Sequence, residues 1–277
     1  MQLIATTTLA GKPVSDDFQA FLQESGIPLV KRDPSSLEEL VRVHAAEGVV
    51  VWQDSGPVLH IQGEKFYFHP SMAKNRLSMW RKKGIPDPLV TACGFTGSDR
   101  VLDGTLGLGA DAIVAAFFTP NGQVLALESS AAVACVVKWG MKLYRSRMPW
   151  LDEAIHRIQV IQAEHGQYLA SQTEKSFDIV YFDPMFRKPQ LKSQSLAPLR
   201  RLANPDPLSL HIVEEAVRVA RKRVVIKEMF SSGELERLGC HRILGSANKK
   251  IRYGIIETDD RQNRSAFISI NPHPQPL

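Results

Sequence analysis

Cysteine is scarce in this chain. Cys93, Cys135 and Cys240 stand far apart, their number is odd, and no two have CxxC spacing. On that count neither a disulfide framework nor a four-cysteine zinc site is expected. His44, His60, His69 and His165 show no ligand spacing, so no metal is expected. Long apolar runs are missing too. The best helical stretch, Ser129 to Gly140, is too short to cross a bilayer and carries Lys138. The segment Met1 to Ala10 has neither a basic region nor an apolar core, so no signal peptide is expected. The expected setting is the reducing cytoplasm, with no membrane partner, and Cys93 and Cys135 are expected to be small core residues.

What is present is an ordinary globular composition. The 277 residues are 44% hydrophobic and 23% charged, which excludes a disordered or fibrous chain. The length suggests about two domains. The net charge of +5 is compatible with a nucleic-acid partner but common without one. Its distribution is more informative. Ser71 to Gly84 holds Lys74, Arg76, Arg81, Lys82 and Lys83 with no acid. A second basic group follows at Arg187, Lys188, Lys192, Arg200 and Arg201.

The first 70 residues read as a small α/β unit. Leu3 to Thr7 predicts a strand, Ser15 caps a helix to about Glu24, and Ser36 with Glu39 opens a second helix. Gly48 to Gln53 is β-branched, and Pro57 to Ile61 with Lys65 to His69 predict a hairpin. From residue 71 to 270 the reading is a second, larger domain, and Asn271 to Leu277 is expected to be a loose tail. Strands are predicted at Arg100–Asp103, Gln123–Glu128, Ile158–Gln162, Phe177–Phe182, Arg223–Lys227 and Ile251–Ile256. Helices are predicted at Ala110–Phe117, Ala131–Tyr144 and Leu208–Arg221. Alternation of this kind implies a parallel sheet.

Two stretches carry chemistry. In the first, Val101-Leu102-Asp103-Gly104-Thr105-Leu106-Gly107-Leu108-Gly109 leads from a strand into a helix that begins Ala110-Asp111. Such glycines let a ligand approach the backbone at a helix N-terminus. Glu128, about 20 residues on at the tip of the next strand, is placed for ribose hydroxyls. Two ligands fit: NAD, or S-adenosylmethionine. Asp103 and Asp111 disfavour a pyrophosphate and suit an ammonium and a sulfonium. Thr105, Gly107 and Gly109 complete the candidate cofactor turn.

The second stretch is Phe177-Asp178-Ile179-Val180-Tyr181-Phe182-Asp183-Pro184-Met185-Phe186. Proline stops the strand, so Asp183 lies at its C-terminal tip, the ligand-binding edge of an open α/β sheet. Asp183 can accept a hydrogen bond from an exocyclic amino group, and Phe186 can stack a base. Lys227 ends an apolar strand, so it either reaches the cleft or pairs with an acid.

Together VLDGTLGLG, LALESS and FDIVYFDPMF resemble the class I S-adenosylmethionine-dependent methyltransferases. The DPMF tetrapeptide, with ARKRVVIK at residues 220–227 and KIRYGII at 250–256, resembles the bacterial 16S ribosomal RNA guanine-N2 methyltransferases of the J type. The resemblance covers roughly residues 68 to 257. It implies a Rossmann-like domain with a mostly parallel seven-stranded sheet behind the small N-terminal α/β domain. It implies S-adenosylmethionine as cofactor, held by Ala110, Asp111, Glu128, Ser129, Gly166, Gln167 and Asp183. Asp183, Pro184 and Phe186 would form the catalytic motif, with Arg187, Lys188 and Lys227 toward the substrate. Ribosomal RNA or the small ribosomal subunit would be the partner. Other substrates with planar amino groups (DNA adenine, a protein amide), an NAD-linked oxidoreductase and a non-catalytic RNA-binding protein stay open on the residues alone.

Overall fold

The computed structural model describes residues 1–184, 202, 206–230, 233–245 and 250–258. Phe186, Arg187, Lys188, Lys192, Arg200, Arg201 and the tail 271–277 lie outside the described residues.

The N-terminal part is built on a four-stranded sheet. Strand β1 (Leu3–Thr7) pairs in parallel with β2 (Gly48–Gln53), which continues antiparallel into β3 (Gly56–Ile61) and β4 (Glu64–Phe66). Helices α1 (Asp16–Ser25) and α2 (Leu37–Val43) start where the cap residues put them. The Ser15 hydroxyl accepts from the Phe18 N–H at 3.3 Å, and that of Ser36 from the Glu39 N–H at 3.1 Å. The β3–β4 hairpin turns on Gln62 and Gly63, both at positive φ (49° and 79°), as a two-residue loop of matching twist requires.

Helices α3 (Ser71–Lys83) and α4 (Pro88–Cys93) lead into the second sheet. Its elements are β5 (Arg100–Asp103), α5 (Ala110–Phe118), β6 (Gln123–Glu128), α6 (Ala131–Leu143), α7 (Pro149–His156), β7 (Ile158–Gln162), α8 (His165–Ala170) and β8 (Phe177–Phe182). They are followed by α9 (Leu210–Val219), β9 (Ala220–Met229), α10 (Glu234–Arg237), β10 (Arg242–Leu244) and β11 (Ile251–Glu257). The strand order is β10-β11-β9-β8-β5-β6-β7, parallel from β9 to β7 and antiparallel at β11 and β10. Connections leave β5 toward β6 on one side and β8 on the other, so the order reverses there. That point is where an open parallel sheet forms its ligand crevice. The central strands are buried on both faces along apolar runs such as Val124–Leu127 and Ile179–Phe182.

The helix predicted over Leu208–Arg221 is shorter than expected. Ala220 is already extended (ψ 138°), and β9 begins there with no turn residue to mark the change. The short helices α4 and α7 escape periodicity, but each opens with proline in its first turn, and Asp87 caps α4 by accepting from the Leu89 N–H at 3.0 Å. Trp139 and Trp80 both pack against other aromatic rings. Trp139 is buried, and the Trp80 ring meets the edges of Phe117 and Phe118.

The hydrophobic core runs across Pro70. Helix α6 covers the second sheet and is also the floor of the first. Trp139 packs edge-on against Phe21 and Trp52, with ring centroids 6.1 and 5.8 Å apart. A Cβ at Gly140 would collide with Phe68. At the rim, Glu24 accepts from the Trp139 indole N–H at 3.0 Å and pairs with Lys138.

Candidate active site

The glycine turn is fastened to both neighbouring strands. The Gly104 N–H donates to the Tyr181 carbonyl and the Leu106 N–H to the Leu127 carbonyl, each at 2.8 Å. The Gly107 N–H donates to Glu128 Oε2 at 3.2 Å. Two glycines here are obligatory. A Cβ on Gly104 would enter the Phe182 ring, and Gly109, which starts α5 at φ 75°, would meet the Met141 methyl.

Asp103 and Asp183 face each other across this turn, joined by Thr105. The Thr105 hydroxyl accepts from the Asp183 N–H at 2.6 Å and donates to Asp103 Oδ1 at 3.3 Å, and the Thr105 N–H donates to the same Oδ1 at 2.9 Å. The other oxygen, Asp103 Oδ2, is buried and without a hydrogen-bond partner among the described residues. Burial, aided by Asp111 and Asp183, pushes the Asp103 carboxyl up to about 8 against the pull of Thr105. An orphaned buried acceptor calls for a donor supplied from outside.

Glu128 sits 6% exposed at the end of β6. Its Oε1 accepts from the Ser130 N–H at 2.9 Å, which with the bond from Gly107 locks the carboxylate in place. Burial raises its pKa. The Ser129 carbonyl accepts from Gln162 Nε2 at 3.2 Å, tying the tips of β6 and β7. Gly166 and Gln167 lie in the first turn of α8, which Glu164 caps by accepting from the Gln167 N–H at 2.8 Å. The neighbouring His165 ring meets Phe182 edge-on at 5.7 Å. The structure therefore brings Asp103, Thr105, Gly107, Gly109, Glu128, Ser129, Gly166, Gln167 and Asp183 to one edge of the sheet.

Asp111, expected at the cofactor turn, directs both of its oxygens into the protein. It is 8% exposed and both oxygens are engaged inside the protein. Oδ1 accepts from Arg76 Nη1 at 2.5 Å; Oδ2 accepts from the Tyr181 hydroxyl and from Lys227 Nζ, each at 2.9 Å. Its neighbour Ala110 contributes no side-chain donor. Lys227, read as a substrate contact or an ion-pair partner, is the partner. Its Nζ also donates to Asp183 Oδ2 at 2.7 Å. Arg76 binds Asp87 as a fork, Nε and Nη2 at 2.8 and 2.9 Å. Burial opposes the charge on Asp111, but Lys227 and Arg76 outweigh it and hold that carboxyl far below the usual range. Burial raises Asp183 to about 6, partly offset by Lys227 and reinforced by Asp111.

Arg76 thus leaves the exposed basic face of α3 to which its sequence neighbours belong. Lys74, Arg81, Lys82 and Lys83 are exposed, whereas Arg76 turns inward beside Ala73 and Leu77. Helical spacing from those two apolar residues is the signal that marks it. Asp87 could have been found as a cap before a proline. Nothing local in the all-buried strand β8 marks Tyr181.

Three acids (Asp87, Asp111, Asp183) enclose two cations (Arg76, Lys227), so this edge carries a net negative charge that favours a cationic ligand and disfavours a pyrophosphate.

The family model described as "Putative SAM-dependent methyltransferase" matches residues 65–256. A Bacillus subtilis protein named "Uncharacterized protein YpiP" is 34% identical over 237 residues, 85% of this chain and 91% of that one. A "Ribosomal RNA small subunit methyltransferase J" of Coxiella burnetii is 33% identical over 138 residues, 49% of this chain and 52% of its own length. The match thus spans about half of that relative. The crystal structure of the SAM-dependent methyltransferase NGO1261 from Neisseria gonorrhoeae superposes with a TM-score of 0.65 at 21% identity, over 93% of this chain and 96% of that one, and so shares its fold. The orphaned Asp103 oxygen, the locked Glu128 and the net negative site fit S-adenosylmethionine as the cofactor, and the chain belongs to the family of S-adenosylmethionine-dependent methyltransferases.

Proposed function

We propose that this methyltransferase acts on the exocyclic N2 of a guanine in small-subunit ribosomal RNA. The observation that carries the reading is Asp183-Pro184 at the tip of β8, its carboxylate held by Lys227 beside the cofactor turn. The relatives named as ribosomal RNA methyltransferases and the exposed cations of α3 support it.

Bound S-adenosylmethionine supplies a methyl group made electrophilic by a positively charged sulfur. Asp103 Oδ2 would accept from its ammonium, and Glu128 from the ribose hydroxyls. The bare backbone from Gly104 to Gly109 leaves room for both. Asp183 accepts a hydrogen bond from the amino group of the base. That turns the nitrogen lone pair toward the methyl and gives the departing proton an acceptor. Holding the two groups in line provides most of the acceleration. Phe186 would stack a base taken out of its helix, and Arg187 and Lys188 would contact phosphates.

Labelled cofactor offered separately to small ribosomal subunits, DNA and bulk protein tests the reading. The expected result is label in subunit RNA, at a guanine whose methylation disappears when the gene is deleted. Label confined to DNA or protein would overturn it. The conclusion also requires Asp183→Ala to abolish transfer while the protein still binds RNA.

A further inference from the structure

Lys227 is 7% exposed and lies between two carboxylates, 2.7 Å from Asp183 Oδ2 and 2.9 Å from Asp111 Oδ2. A buried ammonium is retained only where its charge is answered. Here it is answered by one acid at the catalytic edge and one behind it. The acid behind is itself anchored: Asp111 accepts from Tyr181 and from Arg76, and Arg76 is clamped to Asp87 at the start of α4. Thus α3, α4, α5, β8 and β9 meet in one chain of charges that ends on Asp183. The β11 residue Tyr253 stands opposite Lys227 in the sheet register, and the charges of Asp111 and Asp183 act on the Asp103 carboxyl of β5 from the other side.

We propose that Lys227 is a positioning residue for methyl transfer. It grips one oxygen of Asp183, while Asp111, fastened by Arg76 to α3, fixes the lysine. This rests on the methyl-transfer reading of Asp183. The grip does two things. It sets the carboxylate plane, so that the acceptor offered to the substrate amino group is held before the base arrives. It also keeps Asp183 in the ionised form, a pure acceptor, against the burial and the neighbouring Asp111 charge that favour protonation. Arg76 matters only through Asp111. Because Arg76 is the inward residue of the helix whose outer face carries Lys74, Arg81, Lys82 and Lys83, the helix suited to phosphates is wired to the catalytic carboxylate.

Carboxyl titration of aspartate-labelled protein, followed by carbon NMR, tests this without any substrate. Asp183 is identified by the signal lost in Asp183→Asn. Its midpoint near 6 in the parent protein should rise by about 1 to 3 pH units in Lys227→Met, as loss of an adjacent opposite charge predicts. It should fall in Asp111→Asn, where a like charge is removed and the lysine serves Asp183 alone. Lys227→Arg should keep the parent midpoint. The acid limb of kcat on small ribosomal subunits should follow the same order. Unchanged midpoints in both Lys227→Met and Asp111→Asn would overturn the proposal, and so would shifts in one common direction. If Lys227→Met does not fold, the sign in Asp111→Asn decides. Full activity of Asp183→Asn would refute the methyl-transfer reading instead, and the two failures are thereby separated.

Discussion

The orphaned oxygen of Asp103 makes the stability of this protein depend on pH in an unusual direction. The carboxyl titrates near 8 in the fold and near 3.8 when the chain is unfolded. A raised folded value means that the folded state holds the proton more tightly. The associated stability is complete below about pH 4 and is lost as pH climbs to about 8. Between pH 6 and pH 9 the loss amounts to about 3 kcal/mol, at about 1.4 kcal/mol per pH unit until the folded group itself ionises. Asp103→Asn removes the titration and can still accept from the Thr105 N–H. Its melting temperature should therefore gain on the parent's by roughly 6 to 12 °C over that interval. Differential scanning calorimetry of the two proteins at matched pH values measures this. Cofactor binding should report the same group from the other side. At pH 7 Asp103 is about nine-tenths protonated, and an arriving ammonium favours the carboxylate, so close to one proton should be released. Titration calorimetry in buffers of different ionisation enthalpy counts it, and Asp103→Asn should release none. Parallel melting curves for parent and variant, or equal proton release, would refute the assignment.

Three further outcomes follow from the site. Glu128→Gln should weaken cofactor affinity by about tenfold or more in titration calorimetry, because a carboxylate accepting charge-assisted bonds is replaced by an amide that must also face the Gly107 and Ser130 N–H groups. Gly109→Ala forces a left-handed backbone on alanine and drives its methyl into Met141. It should cost about 1 to 3 kcal/mol in urea denaturation and lower cofactor affinity as well. Neutralising Lys74, Arg81, Lys82 and Lys83 together should reduce the salt slope of RNA binding by up to about 3 in log–log terms and leave cofactor affinity unchanged.

Much of this was legible in the residues, because each feature is local. The hydroxyls of Ser15 and Ser36 announce helix starts, proline after Asp183 ends a strand, and glycines before a helix mark a ligand turn. Glu128 was legible because a strand tip is a position in sequence as well as in space. The charge chain behind Asp183 was not, because its members come from five elements and each looks ordinary alone. Arg76 reads as one more cation in a basic run until Ala73 and Leu77 are seen to share its face. Asp111 invites the role of a ligand, since an acid in a first helical turn after glycines fits a cationic cofactor. Only the packing of β8, β9 and α3 against α5 reveals that its oxygens are already taken. The boundary between α9 and β9 was missed for a related reason: the strand begins on a helix-compatible alanine, and the sheet decides the matter.

The bridging of two sheets by α6 has a consequence in time. Phe21, Trp52 and Phe68 are synthesised long before Trp139 and Gly140, the residues that close over them. At about 5 to 20 residues per second, the stretch between Phe68 and Gly140 takes roughly 4 to 14 s to make. Throughout that interval Phe21, Trp52 and Phe68 lack the residues that cover them in the finished fold. The amino-terminal sheet thus begins its life as an unfinished template, and the helix that completes it is the same one that roofs the cofactor strand.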